Sequence, residues 1–196
     1  MTTQLSPDGS TRVAGTGTSS SDGPRWGSGT KALLALTRVA LGSVFLWAGI
    51  DKVFGLGYST AHDKSWLNGN SPTKGFLSHV SVGPLQSLFH SIAGTWWADW
   101  LFVLGLIGIG AALVLGVAMR FAAICGALLM FMMWLAEFPL DKINSAGEPT
   151  GSTHPLVDYH IIYGLSALAL AAVGAGRAFG LGDLWARVTK GNKLLQ

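Results

Sequence analysis

The fold class predicted for this 196-residue chain is all-α: an integral membrane four-helix bundle with a short helical extracytoplasmic insertion between its first two spans. Two observations predict it. First, 49% of the residues are hydrophobic and only 12% are charged, against about 25% charged in a soluble domain, and the mean hydropathy is +0.44. Second, residues 100–119, 121–136 and 159–176 contain no Asp, Glu, Lys or Arg, and residues 32–50 contain only Arg38. Each run approaches or reaches the roughly 17–25 apolar residues that a helix needs to cross the hydrocarbon core.

Taken in order, residues 1–30 are rich in Ser, Thr and Gly and poor in large apolar side chains. They cannot bury enough surface to offset their ordering entropy, so a disordered cytoplasmic tail is expected. The first span, about 32–54, begins too far into the chain for a standard signal peptide and is read as retained. An insertion over 55–97 follows, then spans at about 98–117, 120–138 and 156–174, within a membrane domain of 31–187, and a cytoplasmic tail at 188–196. Four spans put both termini on one side. That side collects Arg12, Arg25, Lys31, Arg120, Arg177, Arg187, Lys190 and Lys193, against Lys52, Lys64, Lys74 and Lys142 on the other. The positive-inside rule makes the termini cytoplasmic. The basic balance, +3 at pH 7, therefore reflects orientation in a membrane, and nucleic acid is not an expected partner.

Within the insertion, Ser71 followed by Pro72 reads as an N-cap and first helical position. Val82, Leu85, Phe89 and Ile92 recur at helical spacing, which predicts a short amphipathic helix lying on the bilayer or tucked into the bundle. Trp96, Trp97 and Trp100 stand where an interfacial aromatic belt belongs. Glycines and alanines in the second and third spans, among them Gly105, Gly108, Gly110 and Gly126, are expected to let helices approach closely.

Polar residues gather where the spans meet the outer face. Asp51 and Lys52 end the first span, Asp99 begins the second, Glu137 and Asp141 end the third, and His154, Asp158 and His160 begin the fourth. Helices in a bundle pack about 8–10 Å apart, so these side chains can converge on one pocket, with Trp47, Trp134 and Tyr159 at similar depth. Acids there need a partner such as Lys52 or a histidine, or must be protonated. Arg38, about two turns inside the opposite end, either snorkels to the interface or turns inward to bind an anion, a quinone oxygen or a backbone carbonyl. The single cysteine, Cys125, excludes a disulfide framework and a thiolate metal cluster. No P-loop, H-E-x-x-H, haem-attachment or iron–sulfur motif occurs, so no bound metal, haem or nucleotide is expected.

Several short patterns taken in order resemble a known family. "TRVALGSVFLWAGIDKVFG" resembles the first helix of the DoxX/DoxD membrane proteins, and "GNSPTKGFL" the extracytoplasmic insertion of DoxD-type members. "LIGIGAALVLGVAMRFAAICGALLMFMMW" is similar to their central hairpin turning at an Arg, and "GAGRAFGLGDLWAR" to their closing Gly-rich turn. The resemblance implies a four-helix membrane bundle and, for DoxD-type members, the large membrane subunit of a thiosulfate:quinone oxidoreductase. Two expectations follow. In one, quinone is the co-substrate, Asp158, His160 and Glu137 handle its protons, and Lys52, Asp51, Arg38, Trp47, Trp134, Tyr159 and His154 bind substrate. In the other, the chain is a non-catalytic anchor or assembly partner for a separate redox or sulfur-handling protein. The partners expected are the lipid bilayer and a small accessory subunit or redox protein, with homo-oligomerisation left open.

Overall fold

The computed structural model describes residues 26–144, 146–190, 192 and 194; most of the expected tail over 1–30, and part of that over 188–196, lie outside the described residues. Four helices form the bundle: α1 Ser28–Phe54, α4 Trp96–Leu115, α5 Met119–Glu137 and α6 Tyr159–Ala172. The insertion carries α2 Lys74–Leu77 and α3 Gln86–Ile92, and α7 Gly182–Val188 follows the bundle. The chain thus forms the all-α membrane bundle that its composition predicts. α1, α4 and α5 are long and apolar enough to cross a membrane. Leu33, Leu36, Leu101, Leu128 and Leu165, drawn from all four helices, are each at least 60% exposed. Apolar side chains facing outward on every helix require lipid as the solvent.

α1 begins at Ser28, earlier than expected. α6 has only 14 residues, roughly 21 Å of helix, where a span over 156–174 is predicted. The cause is local. Asp158 is an extended N-cap whose carboxylate accepts the Ile161 N–H at 3.2 Å, which fixes the helix start there. A 3-10 turn, Ala175–Arg177, follows after a left-handed Gly174.

Helix order around the bundle is α1, α4, α5, α6, with α6 returning to α1. Close approaches set the register: a Cβ added at Gly42 would meet Val114, and one at Gly49 would meet Ile107, at under 3 Å. Rising numbers on α1 thus face falling numbers on α4, an antiparallel pair held at backbone contact. By contrast, Gly105 and Gly108 have no neighbour within 4 Å of an added Cβ; they face outward, so the predicted close approach along α4 falls to Gly110 instead. The core between the helices contains Phe45, Leu113, Ala123, Met130 and Ala167, with Cys125 packed half-buried against it.

Each end of the bundle is closed differently. At the end where α1 starts and α4 finishes, Arg38 is 1% exposed. Its Nη1 donates to the Leu113 and Val114 carbonyls at 2.6 and 2.9 Å, and its Nη2 to that of Ala178 at 3.4 Å. The last carbonyls of a helix have no intrahelical donor, and a cation there also meets the negative end of the helix dipole. Of the two readings for Arg38, snorkelling is therefore incorrect: the guanidinium turns inward and binds backbone carbonyls. The Gly-rich turn after α6 folds over it, with the Leu181 N–H donating to the Leu115 carbonyl at 2.9 Å.

At the other end the insertion is tied to the helix ends by acids. Asp99, 7% exposed, accepts from the Ser71 hydroxyl, the Thr73 hydroxyl and the Thr73 N–H at 2.7, 2.6 and 3.0 Å. Ser71 also accepts the Lys74 N–H at 3.0 Å, but the helix starts at Lys74 with Thr73 as its cap residue, so Pro72 does not stand at its first position as predicted. α3 is tucked inward: Phe89 and Val80 pack with Ala136 of α5. Trp96, Trp97 and Trp100 are all exposed at the start of α4, as an aromatic belt requires.

Candidate functional site

The acidic residues at the insertion end divide into two sets by what they hold. Asp51, 1% exposed, accepts the N–H groups of Leu56, Tyr58 and Ser59 and the Ser59 hydroxyl at 2.8–3.3 Å. It turns the chain out of α1. Asp99 holds Ser71 and Thr73 as described, and Asp141 accepts the Gly83 N–H at 3.3 Å. These three carboxylates secure loops by accepting from backbone N–H groups and, for Asp51 and Asp99, from hydroxyls as well.

Glu137 and Asp158 are the other set, and between them stands a histidine. α5 ends at Glu137 and α6 begins at Tyr159, so the antiparallel pair brings the two helix ends side by side. His160 is 0% exposed. Its Nδ1 lies 2.8 Å from Asp158 Oδ2 and 3.9 Å from Glu137 Oε2. The Tyr159 hydroxyl donates to Glu137 Oε1 at 3.1 Å, and its ring lies 4.0 Å from the imidazole. With Asp158 ionised, the hydrogen bond assigns the proton to Nδ1. Nε2 is then left facing protein without a hydrogen-bond partner among the described residues. An imidazole held this way accepts a proton at Nε2 and, once charged, donates it. Carboxylate orientation of a histidine is also how general bases are positioned. One donor atom each from Glu137, Asp158 and His160 lies within 4.8 Å of the others, so among the described residues these three groups are placed to hold a cation.

A cavity of about 550 Å³ opens beside this cluster. Glu137, Asp158 and Tyr159 form part of its wall, and His79 of the insertion and His154 of the loop before α6 another. His154 Nδ1 accepts the Leu156 and Val157 N–H groups at 3.1 and 3.0 Å, and Trp134 Nε1 donates to the Leu156 carbonyl at 3.0 Å. Both side chains shape the loop that delivers Asp158 to its place.

The predicted set is therefore brought together only in part. Glu137, Asp158, Tyr159 and His160 form one connected group, with Trp134 and His154 supporting it. Asp51 is a loop staple. Lys52 is half-buried on α1 with its ammonium 5.8 Å from the centre of the Phe102 ring, a cation over an aromatic face. Trp47, 45% exposed, packs edge-on against Tyr58. Arg38 stands roughly 21 Å from Lys52 along α1 at 1.5 Å per residue, so it belongs to the opposite end of the bundle. Ser59, Thr73 and His79 were not singled out by sequence reasoning, and Ser71 was expected as a helix N-cap rather than as a partner of Asp99. The Ser and Thr of "NSPTKGFL" carry a turn signal, but which acid they meet is a tertiary fact.

A family model, DoxX, matches residues 33–137, which covers α1 from Leu33 onward, the insertion, α4 and α5 and stops at Glu137. No curated protein and no solved structure matches the chain.

Proposed function

The chain belongs to the DoxX family, and on that premise we propose that it is the membrane subunit of a quinone-linked oxidoreductase, passing electrons from thiosulfate or a similar sulfur compound to quinone. The single observation that carries this reading is the buried Asp158–His160 pair with its unpartnered Nε2. A buried polar nitrogen without a partner costs stability, and a quinone oxygen is a group it can serve. The thiosulfate part rests on the resemblance of 31–187 to DoxD-type chains.

Oxidation of two thiosulfates to tetrathionate releases two electrons, and reducing a quinone to its quinol consumes those two electrons and two protons. The protein's part is to deliver the protons and orient the reactants. Protonated His160 donates from Nε2 to a quinone oxygen, and Asp158 stabilises the imidazolium from the Nδ1 side. Glu137 and Tyr159, in the cavity wall, flank the imidazole on its Nδ1 side and help hold its charged form, and water that enters with the quinone resupplies the proton at Nε2. The sulfur oxyanion is held by Lys52, away from the carboxylates of Glu137 and Asp158, which repel it. Purified protein assayed for thiosulfate-dependent reduction of a water-soluble quinone analogue tests the reading. Turnover supports it; a chain that is inert alone and with its co-purifying partners is instead the non-catalytic anchor.

A further inference from the structure

The end of the bundle where α1 starts and α4 finishes holds a second cavity, of about 650 Å³, whose chemistry is opposite to that of the first. Trp26 and Lys31 enter it from the start of α1, Arg120 from the first turn of α5, Arg177 from the turn after α6, and Asp183 and Trp185 from α7. Among the described residues, three basic side chains from three separate elements thus line it with one acidic side chain, and Asp183 is already 3.3 Å from Arg177 Nε. A further cation lies behind the floor. Gly116 and Ala178 line the cavity. Arg38 donates to the Ala178 carbonyl on their far side, and a Cβ at Gly116 would meet its Nη1. Arg38 is buried, its partners are neutral carbonyls, and its Nε has no partner among the described residues. A buried cation without a carboxylate beside it favours an anion nearby.

The rim decides which anion. Phe179 and Leu184, next in sequence to the lining residues Ala178, Asp183 and Trp185, are 73% and 57% exposed, Val188 at the end of α7 is 66% exposed, and Leu33 and Phe121, close in sequence to Lys31 and Arg120, are 66% and 52% exposed. These side chains belong in acyl chains, and tryptophans such as Trp26 and Trp185 suit the headgroup level. α7 has the make-up of a helix lying in the interface. We propose that this cavity binds the phosphate of an anionic phospholipid, with Lys31, Arg120 and Arg177 around the phosphate oxygens, the Arg38 charge behind it, and the acyl chains along the apolar rim. Basic pockets between membrane helices suit such headgroups. A free phosphate shares the charge chemistry but has no use for the rim.

The test is lipid binding by full-length protein in neutral detergent, read by native mass spectrometry as apparent Kd for phosphatidylglycerol and for phosphatidylcholine. The wild type should bind one phosphatidylglycerol at least roughly tenfold more tightly than phosphatidylcholine. Lys31→Gln should weaken that binding roughly fivefold and Lys31→Gln with Arg120→Gln roughly 25-fold, each charge near the surface counting about equally. Arg187→Gln, outside the cavity, should leave it unchanged. Lys31 is exposed, so its single variant reads the site even should the double variant fail to fold. Equal affinity for the two lipids, or equal affinity of wild type and Lys31→Gln, overturns the site. Displacement of the lipid by millimolar inorganic phosphate overturns the lipid assignment in favour of a free oxyanion.

Discussion

Asp158 performs two tasks with its two carboxylate oxygens: Oδ2 stands 2.8 Å from His160 Nδ1, and Oδ1 caps α6 by accepting the Ile161 N–H. The tasks separate by substitution. Asn is as good an N-cap as Asp, so Asp158→Asn should keep the fold while removing the charge that holds the imidazole proton. Turnover should fall by about 10²-fold or more, within the range for general acid–base groups, at unchanged KM for the sulfur compound. Asp158→Ala should show the same fall and, in addition, lose about 1 kcal/mol of stability with the cap. Steady-state kinetics beside thermal melts check both.

Lys52 gives the complementary kinetic signature. Its ammonium lies over Phe102 rather than against Asp51, whose oxygens serve the 56–59 turn. Lys52→Gln should therefore raise KM for thiosulfate and leave kcat within about twofold, since a single charge–anion contact weakens binding without entering the proton path. A fall in kcat at constant KM would assign Lys52 to the chemistry instead.

Arg38 closes the other end of the bundle, and its replacement should be read in stability. Arg38→Met leaves the Val114 and Ala178 carbonyls without their donor and the Leu113 carbonyl with the Gly116 N–H alone, at a cost of about 1–3 kcal/mol for each buried group left unmade. Arg38→Lys restores a charge but not the planar fork that reaches carbonyls on two segments, so it should fall between wild type and Met. Thermal midpoints in detergent give the order, and equal midpoints for all three would remove Arg38 from the closure.

Orientation has a direct readout. In a Cys125→Ala background, Lys64→Cys in the insertion should react with an impermeant thiol reagent added to intact cells. Lys190→Cys, beyond α7, should react only after permeabilisation. Both side chains are exposed. The reverse pattern would place the His160 cluster on the cytoplasmic side.

The bundle was legible because its signals are local and additive: uncharged runs gave α4 and α5 within about two residues, and the Asp before the fourth run marks where α6 starts. Residue type alone did not reveal that α6 would be short, because the N-cap bond from Ile161 to Asp158 competes with the apolar run upstream of it. The acids at the insertion end were legible as a group but not as individuals. Asp51, Asp99 and Asp158 all sit at helix ends, and only the path of the insertion decides that the first two meet loop donors while the third meets a histidine. Arg38 shows the same limit: an inward turn toward carbonyls was one of two readings, and the choice depends on where α4 ends in space.

The most direct measurement of the central claim is the rate of thiosulfate-dependent reduction of a quinone analogue by purified wild-type and His160→Gln protein at equal amounts of folded chain. Gln keeps a polar side chain in the buried site but can neither carry nor pass on a proton. If His160 Nε2 protonates the quinone, the wild type turns over and His160→Gln is slower by about 10²–10⁴-fold, with KM for thiosulfate unchanged. Equal rates for the two proteins would contradict the account, and so would a wild type that reduces no quinone.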